Sequence, residues 1–344
     1  MSAPPAPNPS KTPQSTDHPL GVLMRPLSGE VLGLSVFLLI TVIAFSLFVP
    51  RFFSLGTFQS IGFQLPELGL LTLAMLLPIL SGGLNLAITF TANICGLTLA
   101  AVLAAGGGPE ASMTVFAIGV VLALSVGALC GAIMGLIIAY TGAHPILVSL
   151  SMMIFLSGLG EFITRGGDIS GFPEFVGQLG HGSLLGLPAP LWVFLAAVVA
   201  WHVLLSRTQL GFNTYMIGSN SEAARYSGVA TKRTITLIYT LSGLMCAIAG
   251  IIMVARFNSV RVGHGEAYLL ITVLACFLGG IDPFGGFGRA LPVLLALVVL
   301  QVLSSGLNLM GANQHLATAI WGGFLIIVMV LRWVWGKSGF RLKH

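Results

Sequence analysis

Long hydrophobic segments follow one another along this chain, and short polar or glycine-rich stretches separate them. About ten of these segments approach the ~20 residues that an α-helix needs to cross a bilayer. Glycines or prolines interrupt the second, third and eighth segments, so the pattern leaves open whether these are continuous or broken helices. We therefore predict an all-α, polytopic membrane protein with about ten transmembrane helices, near 31–49, 64–80, 84–105, 114–140, 145–163, 190–206, 234–255, 266–281, 290–309 and 315–335.

Composition and charge support a membrane protein and suggest its orientation. Charged residues make up only 7% of the 344 residues, whereas a soluble domain carries about 25%. If the N-terminus is cytoplasmic, 11 of the 15 Lys and Arg residues fall on the cytoplasmic side and four outside. Because Lys and Arg accumulate in short cytoplasmic loops, we predict that both termini are cytoplasmic. The net charge of +5 then reflects membrane topology and gives no reason to expect a nucleic-acid partner.

The domain organisation follows from the same pattern. Residues 1–28 are rich in Pro, Ser and Thr and are predicted to form a disordered cytoplasmic tail. The transmembrane domain is predicted to span 29–336, and a basic cytoplasmic tail is predicted at 337–344. The four cysteines lie singly in hydrophobic segments without the spacing of a metal site, so we expect them to serve packing.

One polar segment interrupts the hydrophobic pattern: "GSNSEAARYSGVATKR" at 218–233, inside the longest predicted cytoplasmic loop, 206–234. Ser219 and Glu222 have the S-x-x-E spacing of a capping box, and Gly228 provides a natural C-terminal stop. We predict a helix of about two turns between them. Such a helix could be merely solvated, or it could bind a groove on another protein.

Within this segment, "EAARYSG" resembles the EAA loop of ABC-importer permeases, which docks into the ATPase subunit. Further motifs resemble the ribose/galactose-type sugar permeases in order and spacing: "ILSGGLNLA", "HPILVSLSMMIFLSGL" and "FLGGIDPFGGFGRALPVLLALVVLQVLSSGLNLMG". The resemblance covers about 60–335. It implies a type II-like importer permease in the bacterial inner membrane, with an ATPase-coupling segment formed by Glu222, Ala223, Ala224, Arg225 and Gly228.

The resemblance also implies partners. These are a second permease subunit, either identical or related, a cytoplasmic ABC ATPase and a periplasmic substrate-binding protein, all acting at the lipid bilayer. ATP would bind to the ATPase, so neither a cofactor nor enzymatic activity is expected in this chain. The sequence agrees, because a Walker A motif needs G-x-x-x-x-G-K-[ST], and Leu331 replaces its first glycine before Gly336-Lys337-Ser338. The expected substrate is a sugar or a related neutral polyol.

Polar residues inside hydrophobic segments are candidates for a translocation path, because polar groups in lipid are costly unless they face water or a partner. Asn85, Thr89 and Asn93 are spaced four apart, which predicts one helical face, and 81–83 (Ser-Gly-Gly) indicates a helix break before them. Uncharged amide and hydroxyl groups suit a neutral polyol, but the same groups could instead hold helices together. The sugar-permease signature usually has Asp at the position of Asn85.

A second uncharged set shares another helical face. Its members are Gln301, Ser304, Ser305 and Asn308, and we carry it as a further part of the path. An ion-coupled secondary transporter of a small neutral solute is the alternative function, but it would normally need charged residues inside the membrane. Glu67 and Glu161 are the nearest candidates, and both are predicted at outer helix ends, within reach of water. Arg256 is predicted in an external loop.

Overall fold

A computed structural model of the protein describes residues 29–50 and 52–337. The predicted tail at 1–28 lies outside the described residues, as does the predicted tail at 337–344 except for Lys337, which is the last residue of the final helix. The described chain forms thirteen α-helices: α1 Gly29–Phe48, α2 Leu55–Leu80, α3 Ile88–Ala105, α4 Met113–Thr141, α5 Pro145–Thr164, α6 Glu174–His181, α7 Ala189–Arg207, α8 Gln209–Ser219, α9 Ser221–Tyr226, α10 Thr231–Phe257, α11 Tyr268–Leu278, α12 Ala290–Leu309 and α13 Gln314–Lys337. A 3₁₀ turn, Gly108–Glu110, and four two-residue strands complete it.

The predicted polytopic helical architecture is confirmed. Among the described residues, eight helices are long and hydrophobic enough to cross a membrane: α1, α2, α3, α4, α5, α7, α10 and α12. The other two predicted segments are also helical, as α11 and as the hydrophobic part of α13, Ala319–Val330. At 11 residues, α11 is only about 17 Å long, against about 30 Å for the bilayer core. It ends before Gly279 and Gly280, and Gly280 has a left-handed φ of 85°.

The segment between α2 and α3 is a true helix break. α2 runs to Leu80 and α3 begins only at Ile88, later than the predicted start at 84. Gly82 has a left-handed φ of 83°, which glycine adopts without strain. A Cβ at Gly83 would lie 2.9 Å from Pro145 Cβ and 2.7 Å from Tyr239 Oη, so no larger residue fits there.

The central helices are α2, α3 and α10, while α1, α5 and α7 lie outside them. In the most hydrophobic stretch of α2, 83% of the residues are buried, against 17% in α1 and α5. Glycines bring α4 and α10 into backbone contact, since a Cβ at Gly131 would overlap Tyr239 O and one at Gly243 would overlap Gly127 O. Small residues at helix interfaces allow this close approach in membrane proteins. The outer helices therefore leave hydrophobic faces for lipid or for another subunit.

Candidate translocation path and coupling surface

The predicted coupling residues gather on one short helix, α9, and the turn that follows it. Glu222, Ala223 and Arg225 are exposed, whereas Ala224 is fully buried against the rest of the chain. Gly228 has a φ of 85° and follows the helix, as predicted for a C-terminal stop. One face of α9 is thus fixed by packing, and the other is free to contact a partner.

The capping residue differs from the prediction. Asn220, not Ser219, is the N-cap of α9, and its Oδ1 accepts a hydrogen bond of 2.9 Å from the Ala223 amide. Ser219 is the last residue of α8 instead. Asn and Ser are similarly good caps, and the end of α8 decides between these neighbours.

A tight backbone junction links the end of α8 to the break after α2. The Gly286 amide donates a hydrogen bond of 2.9 Å to Leu80 O. A Cβ at Gly218 would overlap both Leu80 O and the Gly286 amide, and a Cβ at Gly82 would lie 3.1 Å from Phe284 O. The end of α2, the end of α8 and the loop between α11 and α12 therefore meet without intervening side chains, which we call the glycine junction.

Asn85 lies in the break itself and not on a helix shared with Thr89 and Asn93. The predicted continuous face is wrong at this residue, because the glycines of the break delay the start of α3 to Ile88. Asn85 is fully buried, and its Nδ2 donates a hydrogen bond of 2.9 Å to Ser242 Oγ on α10. Its Oδ1 accepts a bond of 3.1 Å from the Ala87 amide. Asn85 therefore fixes the broken segment to α10.

Thr89 and Asn93 do share a face of α3, and both are nearly completely buried. Among the described residues, Thr89 Oγ1 and Asn93 Nδ2 have no hydrogen-bond partner, and neither does Thr91 Oγ1 on another face of the same helix. An unsatisfied buried polar group costs about 1–3 kcal/mol. Such groups are tolerated where water or a solute can reach them, so this face of α3 has spare hydrogen-bonding capacity inside the bundle.

The second predicted set lies elsewhere, between α12 and the first half of α2. Gln301 and Ser305 are buried, while Asn308 is exposed. Gln301 Nε2 donates a hydrogen bond of 3.0 Å to Gln64 Oε1, and Gln64 Nε2 donates one of 2.9 Å to Ser60 Oγ. A cavity of about 370 Å³ opens here, lined by Ser54, Gly56, Thr57, Ser60, Gln64, Ser305, Asn308 and Leu309.

The α2 side of this cavity was missed by the sequence prediction. Hydropathy places the start of the segment at 64, but α2 begins at Leu55, so its polar first turns were assigned to a loop. The spacing of Ser54, Thr57, Ser60 and Gln64 at three, three and four residues is the helical signal that could have revealed it.

A buried ion pair is the second missed feature. Arg256 Nη1 lies 2.8 Å from Glu67 Oε2, and the Glu67 side chain is completely buried. Tyr268 Oη donates a hydrogen bond of 3.4 Å to the same oxygen, so the cluster joins α2, α10 and α11. Glu67 was predicted at a water-accessible helix end, and Arg256 was predicted in an external loop. Both predictions are wrong, because α2 starts earlier and α10 ends later than hydropathy suggests. Glu161 is exposed near the end of α5, as predicted.

Comparisons with known proteins identify a family and several relatives of this chain. Residues 58–330 match the family described as the permease component of branched-chain amino acid transport systems. The autoinducer 2 import system permease protein LsrD of Yersinia enterocolitica is 35% identical over 272 residues, which cover 77% of this chain and 80% of that protein. The proteins of the same name from Photorhabdus temperata and Salmonella typhi are 31% and 30% identical, over 88% and 90% of this chain and 91% and 92% of their own lengths. No solved structure matches the chain significantly.

Proposed function

The chain belongs to the family of transport-system permease components that matches residues 58–330, and on that premise we propose that it forms the membrane path for a sugar or a related neutral polyol. The family confirms the resemblance drawn from the motifs and makes this a non-catalytic subunit of an ABC importer. ATP hydrolysis belongs to a separate ATPase subunit. Family membership therefore decides against the ion-coupled secondary transporter.

One observation supports the proposed substrate class: among the described residues, neither polar site contains an unpaired charged side chain. Asn85, Thr89 and Asn93 offer amide and hydroxyl groups, as does the cavity between α2 and α12. The buried charges of Glu67 and Arg256 neutralise each other. An amino acid carries two charges that would need compensation in a low-dielectric site, whereas a polyol needs only hydrogen bonds. Autoinducer 2 is among the first solutes to test, because the relatives described above are named as autoinducer 2 import permeases.

Along the proposed path, Asn85, Thr89 and Asn93 form the section next to the glycine junction, and Gln301, Ser305 and Asn308 form a section nearer the other membrane surface. The unpartnered groups of Thr89 and Asn93 support the first section. A second permease subunit, identical or related, would enclose the path. The chain would lie in the bacterial inner membrane with both termini in the cytoplasm.

The exposed face of α9 is proposed to bind the cytoplasmic ATPase. This proposal is supported by Glu222 and Arg225, which point away from the bundle, and by the glycine junction, which lies directly before α9. A movement of α8 and α9 would then be transmitted to the break that carries Asn85. A substrate-binding protein would deliver the solute on the opposite side.

Uptake measurements on α3 variants test the path. Thr89→Val and Asn93→Leu remove the unpartnered polar groups at similar side-chain size, and each is expected to lower ATP-driven uptake of the neutral solute about tenfold. Thr98→Val is the matched control, because the Thr98 hydroxyl is bonded to Ile94 O within the same helix. Normal uptake by both path variants, with the complex intact, would exclude this face of α3 from the path.

A further inference from the structure

Amide side chains are concentrated on one pair of membrane-spanning helices. Within the eight spanning helices, the Asn and Gln residues are Gln59 and Gln64 on α2, Gln301 and Asn308 on α12, and Asn93 on α3. Asn93 is buried, whereas Gln59 and Asn308 are exposed and Gln64 is half-buried. At this end of the bundle, a partly exposed amide pair on adjacent helices favours contact with water or a polar group over contact with hydrocarbon.

Exposed hydroxyls elsewhere on the bundle do not create this cost. Ser46, Ser125 and Ser151 each donate to the carbonyl four residues earlier in the same helix, so they are satisfied without an outside partner. A glutamine has two donors and two acceptor sites, and the bonds within the Gln301, Gln64 and Ser60 chain use only part of that capacity. The α2–α12 face is therefore built to meet water or a polar solute.

The cavity on this face has the size and lining of a site for a small molecule. Its volume of about 370 Å³ falls in the range of about 300–1,000 Å³ that is usual for ligand pockets. Ser54, Thr57, Ser60 and Gln64 line it from α2, and Ser305 and Asn308 line it from α12. Among the described residues, the lining has hydroxyl and amide groups and no charged side chain.

The cavity lies at the opposite end of the bundle from the glycine junction. It is lined by residues at the start of α2 and the end of α12, whereas Leu80 at the end of α2 contacts Gly286, four residues before α12 begins. With 26 residues, α2 separates its two ends by about 39 Å. The cavity therefore opens on the side away from the proposed ATPase-binding helix, where a binding protein would deliver cargo.

From these observations we propose that the α2–α12 cavity is an entry site that binds a neutral, hydroxyl-bearing solute before it reaches the break at Asn85. The inference rests on the proposed import function and adds a binding site whose α2 side carries Ser60 and Gln64. Hydroxyl groups of the solute would donate hydrogen bonds to the amide oxygens of Gln64 and Asn308 and accept hydrogen bonds from their NH₂ groups. Delivery needs only weak binding here, since the solute must also leave.

Two variants of α2 test the site in the complete complex with its ATPase and binding protein. Gln64→Leu keeps the size of the side chain but removes its hydrogen bonds. It is expected to lower uptake three- to tenfold, the factor for one hydrogen bond lost to the solute. Complex yield is measured on the same preparation, because Gln301 also loses its hydrogen bond to Gln64. Gln59→Leu is the matched control, because Gln59 is an exposed amide on the same helix that does not line the cavity. Equal uptake by Gln64→Leu and wild type, in a transporter that imports the solute, overturns the entry site but leaves the import function standing.

Thiol protection provides a second measurement that does not depend on transport. Ser60→Cys places a thiol in the cavity wall, whereas the four native cysteines are buried. A small, water-soluble thiol reagent is expected to label it, and millimolar ribose, galactose or autoinducer 2 should slow the labelling severalfold while leucine does not. Labelling only by a lipid-soluble reagent, or a rate that none of the three neutral solutes changes, contradicts the proposal because lipid or the second subunit then covers the face.

Discussion

The ion pair between Glu67 and Arg256 predicts that a single substitution will be more damaging than a double one. Arg256→Met would leave the Glu67 carboxylate completely buried, with Tyr268 Oη at 3.4 Å as its remaining polar contact among the described residues. Removing one partner of a buried ion pair costs about 3–5 kcal/mol, because the other charge stays buried and uncompensated. A typical protein has only about 5–15 kcal/mol of stability, so much of it would be lost.

The double variant, Glu67→Leu with Arg256→Met, removes both charges and fills similar volumes with hydrophobic groups. Such replacements of a buried pair are often neutral or stabilising, since no desolvated charge remains. We therefore expect a stability close to that of wild type. An exposed pair supplies the control: Arg225 Nη1 lies 3.9 Å from Glu222 Oε1 with both side chains more than 60% exposed, so Arg225→Met should change stability by about 1 kcal/mol or less.

Each purified variant would be heated in detergent and its remaining monodisperse fraction measured by size-exclusion chromatography. The quantity compared is the temperature at which this fraction falls to half. The predicted order places Arg256→Met far below wild type, and the double variant and Arg225→Met near it. A double variant as unstable as Arg256→Met, or an Arg256→Met variant as stable as wild type, would refute the role assigned to the pair.

Further predictions concern the break, the glycine junction and α9. Asn85→Leu should lower uptake by roughly one to two powers of ten while complex yield and ATP hydrolysis persist, because it removes the hydrogen bond to Ser242 that holds the break in place, and such a loss costs about 1–3 kcal/mol. Lost assembly with normal activity in the remaining complex would limit the role of Asn85 to packing. Gly218→Ala should uncouple ATP hydrolysis from uptake, because its Cβ would overlap two backbones. Gly158→Ala is the control, since Gly158 has open space around it and the change should be neutral. An equal number of solutes imported per ATP hydrolysed in the two variants would show that the glycine junction does not transmit movement from α9 to the break. Glu222→Lys should reduce co-purification of the ATPase without affecting membrane insertion, and unchanged co-purification and uptake would make α9 a mere connector. A cysteine replacing Ser227 should react only with reagents that reach the cytoplasm, and labelling from outside would overturn the orientation.

The helical architecture could be predicted because hydropathy reports directly on which segments can lie in a bilayer. All ten hydrophobic segments are helical, and the uncertain second and third segments are divided by the glycine-rich break that the sequence indicated. The shortness of α11 could not be fixed, since hydropathy continues past Leu278 into the loop, whereas two glycines end the helix.

The candidate sites were predictable only where local sequence determines them. Gly228 ends α9 as its residue type suggests, but the choice of Asn220 as the cap depends on where α8 ends. Asn85 lies off the predicted helical face because α3 begins only three residues after it, at Ile88. The pairing of Glu67 with Arg256 joins residues that are distant in sequence, and only tertiary packing brings them together.

Transport by a purified complex tests the central claim most directly. This chain would be placed in proteoliposomes with its ATPase, a loaded binding protein and the proposed second permease subunit. Accumulation of labelled autoinducer 2, ribose, galactose and leucine would then be measured. The account predicts accumulation of a neutral solute that requires both ATP and the binding protein and persists when ion gradients are collapsed. Accumulation driven by an ion gradient without the ATPase, or accumulation of leucine alone, would contradict it.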